Sequence, residues 1–118
     1  MKSEIIQTVF EKKIIAIIRG FAPDICLRLA EAFAKGGIGM VEVTFNQKSP
    51  ETWKDTAAAI KAIGSSFKGD VRVGAGTVLS TEQLDMCEQA GGEYMIAPNV
   101  NETLIRDCRR REYRYVAK

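Results

Sequence analysis

The stretch Met40-Val41-Glu42-Val43-Thr44-Phe45 decides the fold, because its length and its β-branched, apolar character predict a strand buried in a parallel sheet. One ionisable group, the carboxylate of Glu42, interrupts it. A charge in the middle of a buried strand must be neutralised, paired or used in chemistry. Glu42 is therefore the first candidate for a functional residue.

Strands and helices alternate on both sides of this stretch. The predicted strands are residues 14–18, 40–45, 71–78 and 94–97, with a fifth near 115–117, and the predicted helices start at Pro23, Ser49, Ser80 and Asn101. Ser80 and Gln83 have the spacing of a capping box, Gly64 is expected to end the second helix, and a leading helix is expected over 3–12. The alternation predicts right-handed βαβ units and a parallel sheet in one domain, residues 1–118.

Composition excludes several classes of protein. The 118 residues are 46% hydrophobic and 27% charged, which is typical of one globular domain. A net charge of +2 gives no reason to expect nucleic acid or an anionic membrane as a partner. The N-terminus reads as neither a signal peptide nor a membrane span, so we expect a cytoplasmic protein.

The residue types present also limit the chemistry. The sequence contains no histidine, which removes Ser-His and Cys-His nucleophile systems and imidazole metal sites. Cys26, Cys87 and Cys108 are widely spaced and odd in number, so no disulfide framework and no metal site is predicted. Each falls in a predicted helix, where a buried small apolar side chain is the expected role.

Polar residues follow the predicted strands where each strand ends. They are Arg19, Glu42 with Thr44, Thr77 and Pro98-Asn99. In parallel α/β folds the carboxyl ends of the strands carry the ligands and the chemistry. A site at this edge is the prediction, and a buried structural ion pair between Arg19 and Glu42 is the alternative.

The turn Gly74-Ala75-Gly76 permits a close backbone approach. With the Thr77 hydroxyl it suits a bound carboxylate or phosphate, although a tight strand exit explains it equally well. It lacks the third glycine and the acidic partner of a dinucleotide-binding fingerprint.

Five motifs in order along the chain resemble the bacterial KDPG/KHG aldolases. They are Ile14-Ile15-Ala16-Ile17-Ile18-Arg19-Gly20, Gly36-Gly37-Ile38, Val41-Glu42-Val43-Thr44, Val73-Gly74-Ala75-Gly76-Thr77-Val78-Leu79 and Ala97-Pro98-Asn99. The resemblance implies the N-terminal half of a (β/α)8 barrel, usually a homotrimer. It also implies a class I lyase that needs no metal or other cofactor and splits 2-keto-3-deoxy-6-phosphogluconate or 4-hydroxy-2-oxoglutarate into pyruvate and an aldehyde.

The resemblance also assigns roles to individual residues. Glu42 matches the general acid/base that shuttles protons during carbon–carbon cleavage, and Thr77 matches the residue that hydrogen-bonds the pyruvate carboxylate. Arg19 and Pro98 match the substrate pocket, which Thr44, Gly74 and Gly76 are expected to line as well.

Two departures from the family pattern shape the expectations. Some members carry an arginine just after the second strand, where this chain has Asn46-Gln47, so the resemblance leaves the substrate preference open. The family's Schiff-base lysine lies on the sixth strand, whereas this sequence stops near its fifth; Lys118 comes one βα unit too early to replace it.

Residues 1–118 alone are therefore expected to be an inactive part of a barrel whose open edges associate with other copies, as the family trimer or as a dimer of half-barrels. Two alternatives are a half-barrel that only binds a small carboxylate or phosphate, and an epimerase-like phosphosugar barrel that uses Glu42 as its base.

Overall fold

The computed structural model describes residues 3–7, 14–67 and 70–117. Five parallel strands form one sheet in sequence order: β1 (Ala16–Ile18), β2 (Met40–Thr44), β3 (Arg72–Gly76), β4 (Tyr94–Ala97) and β5 (Arg114–Ala117). Four helices connect them: α1 (Pro23–Lys35), α2 (Trp53–Phe67), α3 (Thr81–Gln89) and α4 (Glu102–Arg110). The predicted α/β class with parallel βα units is confirmed, and the arrangement is that of the first five units of a (β/α)8 barrel.

The two faces of β2 differ in what they contact. Val41 and Val43 pack with side chains of α1 and α2 in the main core. Met40 belongs to a second cluster, with Ile5, Tyr94 and Ile96. Because side chains alternate along a strand, Glu42 and Thr44 lie on the same face as Met40, which we call the inner face.

Helix termini follow the predicted signals. Pro23 occupies the first turn of α1, and the chain leaves this helix through Gly36 and Gly37, the latter at φ +90. Asn101 caps α4, since its Oδ1 accepts a hydrogen bond of 3.1 Å from Leu104 N–H.

Three local expectations were wrong. The first strand is shorter than 14–18, because β1 starts at Ala16. The second helix continues past Gly64 to Phe67, and an added Cβ at Gly64 would meet Val73 Cγ1 of β3 at 3.6 Å, an ordinary contact. The capping box at Ser80 is altered, because the Gln83 side chain accepts from Leu79 N–H and not from Ser80 N–H.

Two expectations fall wholly or partly outside the described residues. Residues 3–7 are helical, as predicted for the leading helix, and its remaining residues 8–12 are not described. Lys118, which was considered above as a replacement for the Schiff-base lysine, is not described either.

Candidate active site

Glu42 is completely buried on the inner face of β2. Thr44, two residues along the same strand and 6% exposed, donates a hydrogen bond of 2.8 Å from Oγ1 to Glu42 Oε2. This hydrogen bond orients the carboxyl group. The pair gives the site a carboxyl group of fixed orientation that is shielded from bulk water.

The glycines of β3 make room for large neighbouring side chains. Gly74 pairs with Glu42 and Gly76 with Thr44 in the sheet register. A Cβ at Gly76 would overlap the Glu42 carboxylate, and one at Gly74 would lie 2.5 Å from the ring of Tyr94. Both glycines lie within β3, so the predicted turn at Gly74-Ala75-Gly76 was wrong. The structure gives the two glycines a packing role, and their contact with substrate stays a prediction.

Tyr94 is a site residue that the sequence did not single out. It is fully buried at the start of β4, and its hydroxyl donates a hydrogen bond of 2.6 Å to Val41 O. Burial and the nearby charge of Glu42 raise the pKa of Tyr94, so the phenol stays neutral and remains a donor. The feature of the sequence that could have identified Tyr94 is a single aromatic hydroxyl in an otherwise apolar strand. In the sheet this strand lies two strands away from the strand of Glu42.

Thr77 directly follows β3 in the left-handed region, at φ +53. This conformation is rare for a β-branched residue and costs on the order of 1–3 kcal/mol, so it persists only where surrounding contacts impose it. Among the described residues, none hydrogen-bonds the N–H or the Oγ1 of Thr77, which leaves both groups available to a ligand.

Arg19 and Pro98 lie at the same edge of the sheet, directly after β1 and β4, and both are exposed. Within the described part of the chain, Arg19 forms no ion pair with Glu42, so the alternative of a buried structural pair was wrong. An exposed guanidinium at this edge suits an anionic group that arrives from solvent.

A cavity of about 380 Å³ opens at this edge between the ends of β1 and β2 and the starts of α1 and α2. Thr44 lines it, together with Asn46, Thr56 and Asp55. Val43 and Cys26 of the main core line it as well, so the cavity lies on the helix side of β2 and not on the inner face that carries the Glu42 carboxyl group.

The described ranges contain no cluster of three His, Cys, Asp or Glu residues that could hold a metal ion. None of the helices within those ranges is long and apolar enough to cross a membrane. The three cysteines are buried, as predicted, and their thiols are free of disulfide bonds. Burial raises the pKa of the Cys87 thiol to about 11. The chemistry that this arrangement supports is proton transfer by a buried carboxyl group, at the edge of the sheet where the guanidinium of Arg19 is exposed.

A family model, curated relatives and solved structures all relate this chain to one family of proteins. The family model of the KDPG and KHG aldolases matches residues 5–117. A 2-dehydro-3-deoxy-phosphogluconate aldolase of Haemophilus influenzae is 30% identical over 105 residues, which are 89% of this chain and 46% of the relative. A 2-dehydro-3-deoxy-6-phosphogalactonate aldolase of Escherichia coli is 36% identical over 93 residues, which are 79% of this chain and 42% of the relative.

Solved structures with the corresponding names are similar to this chain as well. A native KDPGal structure superposes with a TM-score of 0.73 at 31% identity, over 87% of this chain and 47% of that one. A KDPG aldolase from Legionella pneumophila, with pyruvate captured as a covalent carbinolamine intermediate, gives a TM-score of 0.74 at 27% identity, over 87% and 47%. The chain spans about half the length of the curated relatives it matches. Ordered motifs, strand order and a family match over nearly the whole sequence lead to one assignment: this chain belongs to the KDPG and KHG aldolase family.

Proposed function

We propose that the protein contributes to a class I aldolase reaction, the cleavage of a 2-keto-3-deoxy-6-phospho sugar acid into pyruvate and an aldehyde. The observation that carries the proposal is the complete burial of Glu42 beside Thr44 on the inner face, at the end of the strand where barrel enzymes place their chemistry. Cytoplasmic location stays a prediction.

In this proposal Glu42 is the general acid/base. After an amine has added to the substrate keto group, it gives a proton to the hydroxyl of the carbinolamine, which leaves as water as the Schiff base forms, and it then takes a proton from the C4 hydroxyl as the C3–C4 bond breaks. Thr44 holds the carboxyl group in one orientation through its bond to Oε2. A buried carboxyl group suits both steps, because no bulk water competes for the proton.

Thr77 is the proposed carboxylate-binding residue. Its N–H and hydroxyl are available at the carboxyl edge, next to Gly76, over which the Glu42 carboxylate lies. A 2-keto acid bound there would place its keto carbon near Glu42. Arg19 and Pro98, exposed at the same edge, would line the outer part of the pocket.

The amine nucleophile is the group that the described residues do not offer at this site. Lys35, Lys48, Lys54 and Lys61 are all exposed, and none lies on the inner face of a strand. We therefore propose that a polypeptide of residues 1–118 alone binds pyruvate but does not form the Schiff base. The lysine would come from a sixth βα unit, as the family resemblance implies.

The relatives leave two phosphorylated sugar acids as candidate substrates, since they are named for the phosphogluconate and the phosphogalactonate compound. These epimers differ in configuration at C4, one of the two carbons of the bond that is cleaved. We propose the class that they share, and a comparison of kcat/KM for the two epimers and for 4-hydroxy-2-oxoglutarate would select among them.

The proposal is tested by pyruvate binding combined with borohydride reduction. For residues 1–118 we expect pyruvate to shift the amide NMR signal of Thr77, and mass spectrometry after borohydride to find no adduct. In any longer or assembled form that cleaves substrate, Glu42→Gln should lower kcat by roughly 10²- to 10⁴-fold and leave pyruvate binding nearly intact. Absence of pyruvate binding would end the proposal, and an adduct on residues 1–118 would end the claim that they lack the nucleophile.

A further inference from the structure

Residues 77–79 lie in the connection between β3 and α3. Glutamine side chains from two different parts of the fold form hydrogen bonds with both ends of this segment. Gln83, in the first turn of α3, accepts a hydrogen bond of 2.8 Å from Leu79 N–H at its Oε1. Gln47, in the connection after β2, donates a hydrogen bond of 2.5 Å from Nε2 to Thr77 O. The two amides thus fix the carbonyl of Thr77 and the N–H two residues later.

The backbone supplies two further anchors. Phe45 N–H donates to Gly76 O at 3.0 Å, and Val78 N–H donates to Ile96 O at 3.1 Å. The bond of Phe45 continues the sheet between β2 and β3. Gly76 O points toward β2, and in an extended strand Val78 N–H would point the same way; it reaches Ile96 O on the β4 side because Thr77 leaves the extended conformation. The conformation of Thr77 is therefore supported by this backbone bond together with the side-chain contacts of Gln47 and Gln83.

Gln83 is an unexpected residue for its surroundings. It is completely buried, and its Nε2 has no hydrogen-bond partner among the described residues. A buried donor without an acceptor is unfavourable, and a leucine or methionine would fill the same space without that penalty. What the amide adds is the acceptor for Leu79 N–H, which identifies the oxygen as the atom facing the loop.

We propose that Gln83 and Gln47 are positioning residues that impose the left-handed conformation of Thr77 and thereby set its affinity for the substrate carboxylate. The part that concerns the carboxylate rests on the function proposed above for Thr77. With the oxygen acceptor of Gln83 lost, Leu79 N–H would turn toward water and Thr77 would relax to the extended region that β-branched residues prefer. The direction of its N–H and hydroxyl would change with that rotation.

The experiment uses the 118-residue chain with uniform ¹⁵N and ¹³C labelling. Gln83→Met removes the acceptor and keeps the length and packing of the side chain. Gln83→Glu keeps an acceptor oxygen, and an acidic residue is favourable in the first turn of a helix, where Gln83 lies. Gln47→Ala removes the second contact from a partly exposed position and should not threaten folding. Gln89→Met is the matched control, since Gln89 is an exposed glutamine on the same helix.

Two readouts are measured for each variant. The three-bond HN–Hα coupling and the Cα and Cβ shifts of Thr77 report its φ without any ligand, and a pyruvate titration reports affinity. For Gln83→Met and Gln47→Ala we expect an extended φ at Thr77 and pyruvate affinity reduced by about tenfold, the effect of one well-placed hydrogen bond. Gln83→Glu and Gln89→Met should match the wild type in both.

The outcomes separate this inference from the proposed function. An unchanged Thr77 φ in both Gln83→Met and Gln47→Ala overturns the inference, as does a changed φ with unchanged affinity. If Gln83→Met does not fold, Gln47→Ala decides it by the same criteria. If the wild type does not bind pyruvate, the proposed function fails, and the φ of Thr77 in the variants still decides whether the glutamines impose its conformation.

Discussion

The carboxylate of Glu42 occupies the space that a side chain at position 76 would fill. Gly76→Ala should therefore displace either the Glu42 carboxyl group or the β3 backbone, and overpacking of this kind costs about 1–3 kcal/mol. We expect the free energy of unfolding in urea to fall by that amount and pyruvate binding to weaken, because Thr77 follows directly.

The same substitution at Gly64 is the control. There the added Cβ would meet Val73 Cγ1 at 3.6 Å, an ordinary contact, in the interior of α2. Gly64→Ala should raise the free energy of unfolding by up to about 1 kcal/mol, since glycine is a poor helix former. Equal effects of the two substitutions would contradict the role given to Gly76.

Thr77 should show a conflict between stability and binding. Because its φ is +53, Thr77→Gly removes the conformational strain, and we expect the free energy of unfolding to stay level or to rise by up to about 1 kcal/mol. Pyruvate binding should be lost, since glycine lacks the hydroxyl.

Glu112→Gly is the control. Glu112 has φ +55 after α4 and is exposed, so the same change should stabilise the chain without altering binding. Retained affinity in Thr77→Gly would remove Thr77 from the site.

Alkaline pH should destabilise the protein through Cys87. Burial raises the pKa of this thiol from 9.0 to about 11. Below pH 9 both the folded and the unfolded chain keep the proton, so stability does not depend on this group. Between pH 9 and 11 the unfolded chain loses its proton first, so stability falls with rising pH, by about 2–3 kcal/mol in total.

Urea unfolding at pH 8, 9, 10 and 11 measures this loss, and Cys87→Ala should flatten the dependence while lowering stability at every pH. Some dependence should remain, because burial also raises the pKa of Tyr113 and of Cys108. A wild-type stability that stays level from pH 8 to 11 would be inconsistent with the buried thiol.

Periodicity and terminal residues predicted most of the fold. The apolar runs placed β2 and β4 within one residue of their observed bounds, and Pro23 and Asn101 marked the starts of α1 and α4. Gly64 was misread because a glycine often ends a helix, whereas here the helix α2 continues through it to Phe67 and buries Ile60 and Ile63. Tertiary packing overrode propensity at that position.

The candidate site was predicted less completely. Glu42 stood out because a carboxylate is costly in an apolar strand, and its burial beside Thr44 is what the pattern indicated. Gln47, Gln83 and Tyr94 did not stand out as site residues, because each acts through a contact with a residue distant in the chain or through a backbone atom. A sequence shows which groups are chemically unusual, but not which backbone atoms they reach.

The β1 edge of the sheet should make residues 1–118 associate. Within the described chain β1 pairs only with β2, and Ile14 and Ile17 are 58% and 52% exposed. An unpaired, apolar strand edge is a template for pairing with another chain, and a charged lysine blocks it. Sedimentation velocity at micromolar concentration should therefore find dimers or larger species, and Ile17→Lys should weaken association by roughly tenfold or more. Ala32→Lys, at an exposed position on α1, is the control and should leave it unchanged. A stable, folded wild-type monomer at these concentrations would show that the edge is protected and that the proposed self-association is wrong.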